Sequence, residues 1–325
     1  MVKENNRSET QKQNSSTLQF FSNLIDYAGL FPPAQLPLEQ AIHNYASYQK
    51  DEDAWMLGHF IIPASRLEEL DPYMSLFSKK NPLPVSAIGQ KTVDSEQCLE
   101  RLAFDLEKIQ SFHKKHGEVA QVKVLELPIP PVVPNRQLLQ KISSFIEKYS
   151  LQLFCEVTVP LDEQWYQKML LTLNEIAIHN NKDGIRMGLK LRTGGVTADA
   201  FPTPQQVATV LHACAERDIS QKFTAGLHHP IRMYRDEVNT SMHGFLNIFT
   251  AGMLARTNTC SVEALAEVIA DEDPSHFTLT EEGVSWKGHL VNVPDINYVR
   301  QYALCSYGSC SFDEPLEDLR KLNMI

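Results

Sequence analysis

Residues 186–226 read RMGLKLRTGGVTADAFPTPQQVATVLHACAERDISQKFTAG. The run 186–192 is short, apolar in alternation and closed by a Gly-Gly pair, which is how a strand ends in a turn. Thr203-Pro204 then sets a capping hydroxyl directly before a proline at the first helical position, and 203–218 continues with a helical pattern. A second strand-like run, 221–226, follows. Strand, helix and strand in this order make a βαβ unit, whose two strands are parallel.

Outward from this unit the same alternation recurs at intervals of about 30 residues. Strand-like runs are predicted at 23–28, 56–62, 84–88, 119–127, 151–157 and, last, at 303–309 (ALCSYGS). Helical patterns fall at 38–50, 64–79, 94–116, 135–149, 161–180 and 240–256, with starts marked at Asp94 and Asn135. The stretch of about 258–300 departs from the repeat and reads as an insertion before the last strand: a helix at 262–270, a hairpin about Glu282-Gly283 within 276–291, and a helix at 294–303. A closing helix is expected at 314–322. The expected architecture is therefore an α/β protein of the (β/α)8 TIM-barrel type, occupying 20–325 as one domain behind a mobile polar tail at 1–19. An open doubly wound parallel sheet is the alternative. It has less support, because the first strand runs into Ala28-Gly29-Leu30-Phe31-Pro32-Pro33 rather than a G-x-G-x-x-G turn.

The chain has 325 residues, 43% apolar and 9% aromatic, enough for a large buried core. Its formal charge of −10, with no basic stripe, argues against nucleic acid as a partner. The most apolar stretch, near 245–255, is interrupted by Asn247 and Thr250 and falls short of the roughly 20 residues that cross a bilayer. No secretory leader pattern is visible, so a cytoplasmic setting is expected. The six cysteines, at 98, 155, 214, 260, 305 and 310, form neither a disulfide framework nor a C-x-x-C pattern.

In a barrel the chemistry sits where strands end, so polar residues closing apolar runs are the candidates. These are Asp26, His59, Glu126, Glu156, Lys190, Arg192 and the His228-His229 pair. Alternate residues of a strand share a face, so Lys190 and Arg192 point the same way; Glu126 and Glu156 are their natural counterions. Arg192 close to Lys190 would depress the lysine pKa and supply a neutral amine. Thr193, Gly194 and Gly195, and Ser309 after Tyr307-Gly308, are positioned to take an anionic group. His228, on the loop after the seventh strand, is a candidate proton carrier, with His229, Arg232, His243 and Asn247 as binding residues. Asp26 would serve as base or orienting carboxylate.

The segment Lys190-Leu191-Arg192-Thr193-Gly194-Gly195 followed by a helix resembles the strand-end lysine and Thr-Gly turn of Schiff-base aldolases of the deoxyribose-phosphate type. The resemblance covers some dozen residues and implies an imine between Lys190 and a carbonyl substrate, with Gly194 and Gly195 near its phosphate. The chain departs from that family in Arg192, in the His-His-Pro loop and in its extra length. The leading expectation is thus a lyase acting on a small anionic carbonyl compound, needing no cofactor. A divalent-metal isomerase or hydrolase, with Glu126, Glu156, His228 and His229 as ligands, is the alternative. A barrel without activity, persisting as an assembly subunit, is a third. A homo-oligomer is compatible with each.

Overall fold

The computed structural model describes residues 14–182, 184–257 and 260–325. Helix α1 (Ser15–Phe21) precedes β1 (Ile25–Tyr27), α2 (Leu38–Tyr48) and β2 (Leu57–Pro63). Next come β3 (Leu83–Ile88), α3 (Ser95–His116), β4 (Ala120–Ile129), α4 (Arg136–Ile146) and β5 (Gln152–Val157). They are followed by α5 (Trp165–Asn180), β6 (Met187–Arg192), α6 (Pro204–Glu216) and β7 (Gln221–Thr224). A hairpin, β8 (Met233–Arg235) and β9 (Thr240–Met242), leads to α7 (Phe245–Thr257) and α8 (Val262–Ala270). A three-stranded antiparallel sheet, β10 (Phe277–Leu279), β11 (Gly283–Trp286) and β12 (His289–Asn292), then precedes α9 (Val293–Tyr302), β13 (Leu304–Ser309) and α10 (Asp313–Lys321). Strands β1 to β7 and β13 close in that order into an eight-stranded parallel barrel, with β13 hydrogen-bonded to both β7 and β1.

The expected helix starts form by the expected chemistry. Asp94 and Asn135 accept from the backbone N–H groups of Gln97 and Leu138, and Thr203 makes a reciprocal capping box with Gln206. Four expectations change. Residues 15–19, read as tail, belong to α1, whose Phe20 and Phe21 are fully buried; the rest of that stretch, up to 13, lies outside the described residues. The segment 64–76 is a 3-10 helix, since Pro72 has no N–H to continue an α-helical ladder. The helix predicted from 240 begins at 245, because 240–242 pairs back on 233–235. The expected hairpin at 276–291 acquires a third strand.

Large apolar side chains on the outward face of the barrel meet the helices. Tyr307 stacks on Phe245 of α7 at 5.1 Å, Phe223 meets Phe249 at 5.2 Å, and Tyr27 meets Tyr48 of α2 at 5.4 Å. The insertion is fastened by Asp271, which accepts from the Trp286 indole at 2.8 Å and pairs with Lys287 at 3.0 Å.

One buried acid has no such arrangement. Asp105 of α3 is 1% exposed, neither carboxyl oxygen has a hydrogen-bond partner among the described residues, and burial pushes its pKa up to about 6. A carboxyl that is harder to ionise when folded binds more protons in the native state, so its cost sets in as pH rises from about 4 to 6. Asp105→Asn is expected to stabilise the protein at pH 7.5 by up to about 3 kcal/mol and to leave it unchanged near pH 3.5, read by urea unfolding at the two pH values.

Candidate active site

The inward faces of the strands carry charge. Register aligns Glu156 of β5 with Lys190 of β6, and Lys190 with Lys222 of β7; Glu126 of β4 faces the same space. Asp26 enters from β1, where Gly58 of β2 leaves it room: a Cβ there would collide with the Asp26 carboxylate. All five are buried, Lys190 at 2% and Lys222 at 1% exposure.

They form one chain of alternating sign. Lys190 Nζ lies 2.6 Å from Glu126 Oε2 and 2.7 Å from Glu156 Oε2. Glu156 Oε1 accepts from Arg192 Nη1 at 3.2 Å. Lys222 lies 3.1 Å from the other Glu126 oxygen and donates to Asp26. Ser86 donates to Glu126 and Ser306 to Asp26, both at 2.6 Å. His59 closes the far end, its Nδ1 3.0 Å from Asp26 Oδ1. The order is Arg192, Glu156, Lys190, Glu126, Lys222, Asp26, His59. Three carboxylates balance Lys190, Lys222 and Arg192. The interior is therefore neutral in sum, as buried ions must be if desolvation is not to dominate.

The titration directions follow. Burial alone would raise the Glu126 carboxyl, but Lys190 and Lys222 overcome it and bring it to about 2. Glu156 and Asp26 are lowered in the same way, Asp26 by Lys222 and His59. Burial would lower Lys190, and its two glutamates more than reverse that, so its pKa is raised. The expected depression of Lys190 by Arg192 does not occur. Glu156 lies between the two cations, and the resting lysine is an ammonium.

At the carboxyl end of β5 and β6 a cleft of about 220 Å³ reaches one end of this chain. Glu156 and Arg192 line it, with Lys91 from the loop after β3, Thr158 and Trp165. Arg192 leaves 43% of its side chain exposed there. Lys91 and Lys222 were not among the sequence candidates. Lys222 stands near the start of its strand, where lysine reads as a solvated end; its signal was that it occupies in β7 the place Lys190 occupies in β6.

The other predicted residues lie elsewhere. His228 and His229 belong to a second cluster with the end of β13 and α10: His228 Nδ1 is 3.8 Å from Cys310 Sγ and 3.4 Å from Glu314, and His229 Nδ1 is 2.6 Å from Asp318. Burial works against charging His228, yet Cys310 and Glu314 push it up to about 9. Among the described residues no hydrogen bond or ion pair joins this cluster to the chain through Lys190. The alternative metal set is thereby divided: Glu126 and Glu156 are neutralised by lysines while the histidines pair with α10, and no group of three candidate ligands converges among the described residues.

Arg232, His243 and Asn247, expected to bind substrate, instead fasten α7. Asn247 accepts from the Arg232 backbone N–H at 2.9 Å and donates to the carbonyls of Val268 and Asp271, both at 2.8 Å. His243 Nε2 lies 2.7 Å from the Pro202 carbonyl, Nδ1 lies 3.2 Å from Arg232, and burial lowers its pKa to about 4. Thr193 is fully buried and donates to the Ala225 carbonyl at 2.6 Å, tying β6 to β7. Gly194 and Gly195 fit against Phe201 and Ala200, where a Cβ would collide. Ser309 alternates with the inward Gly308 and so turns away from the barrel interior.

Removing one ion from such a chain leaves its partner buried and uncompensated. Lys222→Met is expected to lower the unfolding free energy by about 3–5 kcal/mol in denaturant titrations, and adding Asp26→Asn to recover part of that loss. The Glu314–His228 pair gives a separate pH signature. A histidine raised to about 9 adds stability that is complete below its ordinary pKa of 6.5 and is lost as pH rises to about 9. Glu314→Gln is expected to shrink that decline in the profile of melting temperature against pH, the Cys310 contribution remaining.

No protein-family model matches the chain, and no curated protein matches it. Among solved structures, similar backbones are found in a modular endo-beta-1,4-mannanase of glycoside hydrolase family 26 from Cellulomonas fimi, at a TM-score of 0.41 and 11% identity over 66% of this chain and 69% of that one. An engineered protein gives 0.44 and 11% over 82% and 79%. A nitroalkane oxidase from Streptomyces ansochromogenes gives 0.34 and 12% over 88% and 86%.

Proposed function

We propose that this barrel is an enzyme acting on a small anionic carbonyl compound, by lyase chemistry of the aldolase type that passes through an enolate. The observation that carries the reading is Glu156, held between the Lys190 ammonium and the Arg192 guanidinium on the wall of the carboxyl-end cleft. Arg192 and Lys91 supply positive charge for a carboxylate or phosphate, and Trp165 supplies an apolar wall.

Glu156 is the carboxylate within the cleft that would take the proton next to the carbonyl. The C–H electron pair becomes the enolate double bond, and the carbonyl oxygen takes the negative charge. Lys190, behind Glu156, holds a positive charge already in position, so little reorganisation accompanies the step. An engagement of the substrate anion with Arg192 would loosen the 3.2 Å contact to Glu156 and raise the basicity of that carboxylate. Imine formation at Lys190 has less support, because an ammonium with two carboxylate partners has no free electron pair to offer. The polar cleft also speaks against a barrel without activity.

The test is α-proton exchange into D2O, followed by NMR, over a panel of small 2-oxo acids and phosphorylated aldehydes and ketones. The same mixtures would be treated with borohydride and examined by mass spectrometry. Exchange of at least one compound is expected, reduced about 100-fold or more by Glu156→Gln and Arg192→Gln, with no adduct trapped. A borohydride-stable adduct on Lys190 would replace the enolate role with an imine, and a panel with no exchange and no adduct would overturn the reading.

A further inference from the structure

The amino-terminal end of a TIM barrel ordinarily serves stability. In this protein it is open and polar. A cavity of about 330 Å³ enters the barrel from that side, at the opposite end from the carboxyl-end cleft, and reaches Lys222, His59 and Ser306 of the interior charge chain. Gln152 at the start of β5 and Asn297 of α9 stand at its mouth, with Arg300 of α9 beside them. Among the described residues no Asp or Glu lines it.

Arg300 gives the cavity its sign. Its guanidinium donates to four backbone carbonyls, Nε to Phe20 and Nη2 to Ser22 at 2.9 Å each, and Nη1 to Leu304 and Cys305. Carbonyls satisfy its N–H groups without neutralising its charge, and among the described residues it forms no ion pair. The charge chain does not supply the missing anion, since its three carboxylates are matched by Lys190, Lys222 and Arg192. One positive charge is therefore left over beside a cavity whose lining includes several side-chain amides and the hydroxyls of Ser22 and Ser306. His59, held to Asp26 through Nδ1, lines the cavity from β2.

We infer that the amino-terminal mouth is a second binding site, for a small oxyanion such as phosphate or a short carboxylate. Gln152 and Asn297 have N–H donors for it, the His59 imidazole lines it from β2, and the Arg300 field makes an anion the favoured occupant. The site stands apart from the carboxyl-end cleft, and the inference does not depend on the reaction proposed there.

The test is isothermal titration of the whole protein with inorganic phosphate and, separately, with acetate, at pH 7 and low ionic strength. Saturable binding of one of them is expected. Gln152→Glu and Asn297→Asp, which put a carboxylate at the mouth without removing a packed group, are expected to weaken it about tenfold or more. Arg192→Gln is expected to leave it intact. The inference fails if neither anion binds saturably, if binding survives both mouth substitutions, or if it disappears with Arg192→Gln, which would assign the anion to the other end.

Discussion

The Lys190 ammonium between two buried glutamates is the constraint around which the barrel is organised. Ordinary barrels fill their interior with branched apolar side chains. This one sets a chain of ions among inward-facing apolar residues such as Phe154 and Ile61, and each ion depends on the next for its charge. Lys190 keeps Glu126 and Glu156 ionised, Glu126 keeps Lys222 ionised, and Lys222 with His59 does the same for Asp26. Apolar cohesion is displaced to the shell, where Tyr307, Phe223 and Tyr27 pack outward against the helices. Specificity of register comes with the arrangement, because a strand shifted by one residue would turn its ion into that shell.

A charge chain of this kind links the two ends of the barrel without a moving part. Arg192 at one mouth and His59 at the other are its only substantially exposed members, at 43% and 27% of their side chains. A charge arriving at either end acts on the nearest carboxylate, and that carboxylate shares a lysine with the next.

The fold was legible because it is repetitive. Eight strand-like runs separated by helical patterns specify a parallel sheet, and each of the eight runs overlaps the barrel strand that forms there, with bounds that differ by at most two residues. The interior site was legible wherever alternation could be read: Lys190 and Arg192 are two apart on β6, and Glu126 and Glu156 lie near the ends of the strands before it. Three kinds of information were not. Lys222 was not singled out, because it stands near the start of its strand and sequence does not say how far a strand is staggered in the barrel. His243, Asn247 and Arg232 looked like a site because polar residues clustered after a strand end; their partners include the backbone carbonyls of Pro202, Val268 and Asp271 and the Arg232 N–H, which carry no sequence signature. The sign of the Lys190 shift depended on what stood between it and Arg192, and Glu156 in that gap is a matter of side-chain geometry.

The Arg300 guanidinium also bears on how the molecule is made. The seam of the barrel is the contact between its first strand and its last, β1 and β13. Arg300 spans that seam from α9, holding carbonyls of Phe20 and Ser22 on one side and of Leu304 and Cys305 on the other. During synthesis β1 emerges early, and its partner emerges only after the insertion has been made. One edge of the growing sheet therefore stays unpaired through most of translation, with the buried Asp26 beside it and no Lys222 to neutralise it until β7 appears. An open edge carrying an ion is a poor template for a neighbouring chain, because another strand would have to bury that charge to pair there. The Asp26 carboxylate, paired with Lys222 in the finished barrel, thus also guards the unfinished one.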